Sequence, residues 1–270
     1  MVLSMPFFCR WIYGYGGQTM ELTIALVVSY DGSEYVGFQS QPGLKSIQGV
    51  LEKAIEKITK HQVSILGSGR TDAGVHANGQ VVSFKTTRDL NEKKWPLALN
   101  SCLPSTIRIR KAYLVESDFH VIYDVQSKTY RYEVCTAPVY NVHLRHMQFH
   151  FPLKLDIELM RRAAQVLVGT HDFRSFCVAK SIKDNNVRTI ESIEITLDQS
   201  TLRFDVTGNG FLHNMVRIIV GTLLYVGNQR IDMAQVQAML NGATRHSSIL
   251  TVPAHGLVLW AVRYSNFTSE

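Results

Sequence analysis

The chain reads as an α+β protein on three observations. Short runs with period-two alternation of apolar and polar residues recur along its length. Amphipathic helical stretches are interspersed among them, and one pair of runs is joined by a turn short enough for a hairpin. In the first half, Leu22–Ser29 is strand-like and leads into a turn at Tyr30-Asp31-Gly32. Over Ser46–Lys60, residues Ile47, Val50, Leu51, Ala54, Ile55 and Ile58 fall on one helical stripe, with Ser46 as its N-cap. Val63–Leu66 and Gln80–Phe84 supply strands, Glu92–Asn100 a helix, and Thr106–Val115 a strand on which Ile107, Ile109 and Tyr113 face away from Arg108 and Arg110. The order is strand, helix, strand, strand, helix, strand.

The second half has a similar order. Gln126–Thr136 alternates Tyr130, Tyr132 and Val134 with Arg131 and Glu133. Asp156 caps a helix running to Val168 and closed by Gly169, the residue type preferred just past a helix end. Thr189–Leu197 and Leu202–Val206 form a hairpin through Asp198–Thr201, Phe211–Val226 and Asp232–Leu240 are helices, and Leu257–Tyr264 is a buried final strand. Two related α+β halves, 20–118 and 119–270, are therefore expected, with no Pro-, Gly- or Ser-rich linker between them and a single catalytic unit as the result. Residues 1–19 carry neither strand nor helix periodicity and no signal-peptide pattern, and are expected to be a dispensable extension outside the fold.

Composition narrows the class. Of 270 residues, 46% are hydrophobic, enough for a sizeable core. The longest apolar runs, Ile218–Val226 and Leu257–Val262, fall short of the ~18 residues that span a bilayer. Four scattered cysteines, Cys9, Cys102, Cys135 and Cys177, fit free thiols in a reducing cytoplasm rather than a disulfide framework. A formal net charge of +6 permits a polyanionic partner, and the placement of arginines among apolar and aromatic residues on strands offers a face for phosphates and bases. His143 and His146 lack a third ligand at supporting spacing, so no metal is expected.

Chemistry concentrates in one stretch, Gly67-Ser68-Gly69-Arg70-Thr71-Asp72-Ala73-Gly74-Val75-His76. Three glycines free the backbone for positive φ or close approach around an arginine, a threonine and an aspartate, and the flanking strands make it a sheet-anchored loop. It is not a phosphate cradle: neither G-x-x-x-x-G-K-[ST] nor G-x-G-x-x-G at a strand-to-helix turn is present. A tight turn with a solvated Arg–Asp pair is the plain alternative. A second unusual feature is Arg217, the one charged residue between His213 and Asn228 in an apolar helix. A buried guanidinium without a partner is costly, so a carboxylate is expected nearby.

The loop resembles the GRTDAGVHA signature of the TruA-type tRNA pseudouridine synthases. The resemblance continues in order through Tyr35-Val36-Gly37-Phe38-Gln39, Phe119-His120, Lys128-Thr129-Tyr130-Arg131-Tyr132, Gly169-Thr170-His171-Asp172-Phe173 and Phe211-Leu212-His213-Asn214-Met215-Val216-Arg217. It implies the pseudouridine synthase fold, two halves whose largely antiparallel sheets meet at a central basic cleft. It also implies isomerisation of uridine to pseudouridine in the tRNA anticodon stem-loop, at positions thirty-eight to forty, by a homodimer without cofactor. By resemblance Asp72 is the nucleophile or base, Tyr130 stacks on the flipped uracil and its hydroxyl is expected to assist proton removal from C5, and Arg217 is directed at Asp72. Arg70, Thr71, His76, Gln39, Arg108, Arg110 and Arg131 are the expected RNA contacts. Three departures stand out: Val121-Ile122 where the family usually shows Ala-Arg, Lys128 where arginine is common, and Phe38 in place of Trp. Two other readings stay open at this point, a paralogue acting on other RNA uridines and an RNA-binding protein whose catalysis is incidental.

Overall fold

The computed structural model describes residues 21–182, 184–243 and 249–270, so the expected extension over 1–19 lies outside the described residues. The strands are β1 (Leu22–Tyr30), β2 (Leu66–Gly67), β3 (His76–Thr86), β4 (Ile107–Val115), β5 (Ser127–Cys135), β6 (Phe149–His150), β7 (Gly169–Asp172), β8 (Val187–Asp198), β9 (Thr201–Gly208) and β10 (Leu257–Arg263). The helices are α1 (Ile47–Thr59), α2 (Lys94–Asn100), α3 (Ile157–Leu167), α4 (Met215–Gly227) and α5 (Met233–Leu240).

One mostly antiparallel sheet runs in the order β4-β1-β3-β10-β5-β9-β8-β7, with β2 paired to β3 and β6 to β5. The last strand sits at the centre. β10 pairs in parallel with β3 through Val258 and Leu259, and antiparallel with β5 along Leu257–Arg263. It thereby joins strands of the first half to strands of the second without a gap in the ladder.

Local chemistry explains most element ends. The Ser46 hydroxyl accepts from the Gly49 N–H and opens α1, a cap of the kind that contributes about 1 kcal/mol. Asp156 does the same for α3 through the Leu159 N–H, and Gly169, at φ +113°, ends it by turning the chain into β7. Asp232 and Gln235 form a reciprocal capping box at α5. The β8–β9 hairpin pairs Leu197 with Leu202, as alternation predicts.

Three elements differ from the sequence expectation. On β4 the register slips at Val27/Val28 so that Arg110 is the extra residue of a bulge; Ala112 takes the core position, and Tyr113 stacks on Phe267 instead of joining Ile107 and Ile109. The strand expected over Val63–Leu66 is only Leu66–Gly67. The helix expected from Phe211 begins at Met215, because Asn214 adopts a left-handed conformation (φ 60°, ψ 8°) that a continuing α-helix cannot accommodate. Phe211–Asn214 is thereby freed to face the cleft described below.

The helices pack on the sheet from the face that Tyr130, Tyr132 and Val134 occupy on β5. α2 lies on β4 and against α1, α3 on β8 and against α4 and α5, and α4 reaches β5. α4 is apolar all round and buried along most of its length, with Arg217 as its one charged residue. Among the described residues no helix is long and apolar enough to cross a membrane.

Candidate active site

A cleft of about 780 Å³ opens between the two groups of helices, within the range of specific ligand sites. Its lining draws on the Phe38-Gln39 segment, the 65–72 stretch, Lys128 and Tyr130 of β5, and Phe211–Arg217.

The loop from β2 to β3 is clamped from behind. Gln80, with no exposed surface, accepts from the Ser68 hydroxyl at 2.6 Å and donates to the Gly69 carbonyl at 2.7 Å. The Phe38 N–H donates to the Thr71 carbonyl at 3.0 Å, and the Val75 N–H closes a turn on the Asp72 carbonyl at 3.1 Å. Of the loop glycines only Gly74 has positive φ, +77°. Gly67 serves by close approach: a Cβ there would lie 2.6 Å from the Phe38 ring. Backbone on both sides of Asp72 is thus fixed while its side chain, 40% exposed, projects into the cleft.

Two nitrogen-bearing side chains face that carboxylate. Arg217 Nη1 lies 3.9 Å from Asp72 Oδ2, and His213 Nε2 lies 3.5 Å from Oδ1. The carboxylate expected beside the buried arginine is therefore present, but the arginine's hydrogen bonds go elsewhere: Nε to the Val252 carbonyl at 2.7 Å and Nη1 to Asn214 Oδ1 at 2.6 Å. Burial lowers the Arg217 pKa, and the charge of Asp72 opposes that shift. Neither distance to Asp72 is that of a strong hydrogen bond, so its lone pairs remain free for a substrate atom.

Tyr130 is 8% exposed and packs edge-on against Phe211, with ring centroids 5.2 Å apart. Burial raises its pKa beyond the ordinary tyrosine range, with the neighbouring Tyr30 and Asp72 adding to the effect. It is a phenol at neutral pH, a donor and not a base. Lys128, two residues back on the same strand face, donates to the Ser68 carbonyl at 2.6 Å, and burial lowers its pKa to about 8.

The remaining expected residues divide. Gln39 and Arg70 are exposed on the cleft wall. Thr71 also lines it, yet its hydroxyl is engaged by that of Tyr30 at 2.7 Å, and burial pushes the Tyr30 pKa up to about 12. His76 is 2% exposed on β3 behind the loop, its Nδ1 3.1 Å from the Gly32 N–H and 3.2 Å from Asp31 Oδ1. It does not line the cleft.

Arg131 alternates with Tyr130 and so points from the opposite sheet face, in a two-pronged pair with Asp205 (2.8 and 2.9 Å) and stacked 3.6 Å over the Trp260 ring. Arg110 bonds to Asn78 on that uncovered face, and the Asn78 amide donates to the Trp260 carbonyl. Arg108 folds back on Pro104 and Ile107 carbonyls. These three arginines are separated from the cleft. The cations that do line it are Arg70, Arg217, Lys128 and Arg188. Lys128 was legible from its period-two relation to Tyr130, whereas His213 and Arg188 carried no local signal. Ile122, 43% exposed, lines the cleft where the family usually has arginine. Cys102, Cys135 and Cys177 are free thiols, and among the described residues no group of three His, Cys, Asp or Glu is arranged to hold a metal.

One sheet joined by its last strand thus carries a loop carboxylate, a largely buried guanidinium and a buried phenol around a single cleft. The sequence profile of a family described as tRNA pseudouridine synthase matches residues 26–124 and 163–265. A tRNA pseudouridine synthase A of Bacillus pumilus is 46% identical over 247 residues, 91% of this chain and 100% of that protein. Proteins of the same name from Bacillus subtilis and Halalkalibacterium halodurans are 42% identical (91% of this chain, 100% of theirs) and 44% identical (87% and 90%). The chain belongs to the tRNA pseudouridine synthase family, and its reaction is an isomerisation.

Proposed function

We propose that this enzyme converts uridine to pseudouridine in the anticodon stem-loop of tRNA, at positions thirty-eight to forty, with Asp72 as the nucleophile or base. The reading also places it in the cytoplasm as a homodimer whose halves, 20–118 and 119–270, work as one catalytic unit. The observation that carries it is the position of Asp72: a carboxylate with fixed backbone and free lone pairs, between Arg217 and His213 in a cleft of about 780 Å³.

The chemistry asks for little else. The bond from C1′ to N1 breaks, the uracil turns while held, C1′ joins C5, the C5 hydrogen leaves as a proton, and N1 takes up a proton in its place. Electrons balance without an oxidant or reductant, so the reaction itself requires no redox cofactor. A carboxylate can open such a bond as carboxylates do at other glycosidic centres. Extruding the base into the cleft costs a few kcal/mol, and a ring such as Tyr130 beside Phe211 offers it a new stacking surface. Since the Tyr130 phenol keeps its proton, it orients the uracil by donating, and C5 deprotonation falls to another group. Arg70, exposed beside Asp72, is placed to occupy the gap left in the RNA stack.

The test is Asp72→Asn. The amide is nearly isosteric and leaves Arg70, Lys128 and Arg188 in place, so filter binding of tRNA should match the parent. Tritium release from tRNA labelled at uridine C5 should vanish. Release near the parental rate would remove Asp72 from the mechanism, while loss of binding together with turnover would mean that the carboxylate shapes the RNA surface instead.

A further inference from the structure

Asp72 is approached on one oxygen by Arg217 and on the other by His213, and only the arginine has a role in the reading so far. His213 sits in the four-residue segment that Asn214 keeps out of α4. Its ring is hydrogen-bonded at one nitrogen and faces Asp72 with the other. Nε2 lies 3.5 Å from Asp72 Oδ1, and Nδ1 is 2.8 Å from the Ser181 hydroxyl. Ser181 ends a 3-10 turn (Ala179–Ser181) on the cleft rim, and the Val178 N–H donates to the His213 carbonyl at 3.4 Å. The histidine therefore links the rim to the floor of the cleft.

We infer that His213 is a positioning residue for Asp72, oriented by Ser181. The inference rests on the proposed role of Asp72. When the Ser181 hydroxyl donates to Nδ1, the ring proton resides on Nε2 and faces the carboxylate. When the ring is protonated, Nδ1 donates to Ser181 and Nε2 still presents a proton. Either state offers Asp72 Oδ1 a donor. In the open cleft the pair is half exposed (46% for His213, 40% for Asp72), where such contacts contribute little. An RNA strand seated in the cleft excludes water, and the same contact then gains strength as the local dielectric falls. Ser181, on the rim where the RNA enters, connects that seating to the orientation of the carboxylate.

Catalysis by a carboxylate depends on its being held within a fraction of an ångström of the reacting atom, and about 1 Å of displacement can cost on the order of 100-fold. His213→Ala should therefore lower the rate of tritium release at saturating tRNA by about 10- to 100-fold. The dissociation constant for tRNA by filter binding should stay within about twofold, because the cleft cations are untouched. His213→Gln retains an amide N–H on the same side and should recover most of the lost rate. Ser181→Ala frees the ring and should lose about three- to tenfold. A purely structural role predicts a different pattern: a lowered melting temperature, loss in binding as well as rate, and no rescue by glutamine.

The inference is overturned if His213→Ala turns over at the parental rate, if its defect lies in binding alone, or if glutamine is no better than alanine. Asp72→Asn measured alongside separates the two claims. If that variant still releases tritium, the role of Asp72 falls and this inference with it; if it is inactive while His213→Ala is fully active, only the inference falls.

Discussion

Lys128 is a charge that the fold holds at a cost, and the cost can be measured. Its ammonium is buried against the Ser68 carbonyl, with no carboxylate at ion-pair distance among the described residues, and its pKa is lowered from the ordinary 10.5 to about 8. Between those values the unfolded chain binds a proton at Lys128 that the native protein does not, so stability must rise with pH across this window. The advantage of the neutral form is fully present above pH 10.5 and is lost as pH falls through about 8. At about 1.4 kcal/mol per unit, the interval corresponds to roughly 3 kcal/mol. Urea unfolding of the parent and of Lys128→Met should therefore show a difference in unfolding free energy that shifts by about 2–3 kcal/mol in the parent's favour from pH 7 to pH 10. Binding should move the other way. A phosphate in the cleft is attracted to the charged form, so tRNA affinity should fall in the parent between pH 7.5 and 9, and this fall should be absent from Lys128→Met. A stability difference that stays flat across the window would refute the assignment of a buried, readily neutralised lysine.

Two further outcomes follow from the same geometry. Arg217→Lys should keep the fold but lose most turnover in the tritium assay. One ammonium cannot serve the Val252 carbonyl and Asn214 together while facing Asp72, and each charge-assisted bond lost costs about 1.5–3 kcal/mol; full activity with lysine would mean that the site needs only a positive charge. Arg70→Ala should reduce the dependence of log affinity on log salt by about one unit. Arg131→Ala should leave that slope unchanged and lower unfolding free energy by about 1–3 kcal/mol, because Asp205 loses its two-pronged partner. Equal slope changes for the two would put both sheet faces against RNA.

What was legible in the sequence was what short-range chemistry decides. Ser46 and Asp156 announce their helices because a side-chain oxygen three residues before a free N–H is a local event. The β8–β9 hairpin announces itself because its turn fixes its register. The place of β10 could not be read, since pairing with β3 joins residues 182 positions apart and nothing near Leu257 encodes it. The bulge at Arg110 escaped for a related reason: strict alternation was extrapolated through a position where the partner strand β1 loses register. β6 and β7, of two and four residues, are too short for a period to show.

The site divides along the same line, and the division bears on where RNA lies. The glycine-flanked Asp72 and the lone arginine of an apolar helix, Arg217, stand out from their surroundings, whereas Tyr130, one strand aromatic among several, was singled out only by the family resemblance. The basic residues did not carry such marks. A net charge of +6 says nothing about which sheet face is positive, and alternation on β5 puts Arg131 and Lys128 on opposite faces by one residue. On the uncovered face three arginines have carboxylate partners, Arg131 with Asp205, Arg203 with Glu133 and Arg263 with Glu191, while Arg108 and Arg110 bond to backbone carbonyls and Asn78. In the cleft Lys128 and Arg188 bond to backbone carbonyls, and among the described lining residues Asp72 is the one carboxylate. Positive charge around the cleft attracts a polyanion, so an RNA strand is drawn to the side of the sheet on which the cleft opens.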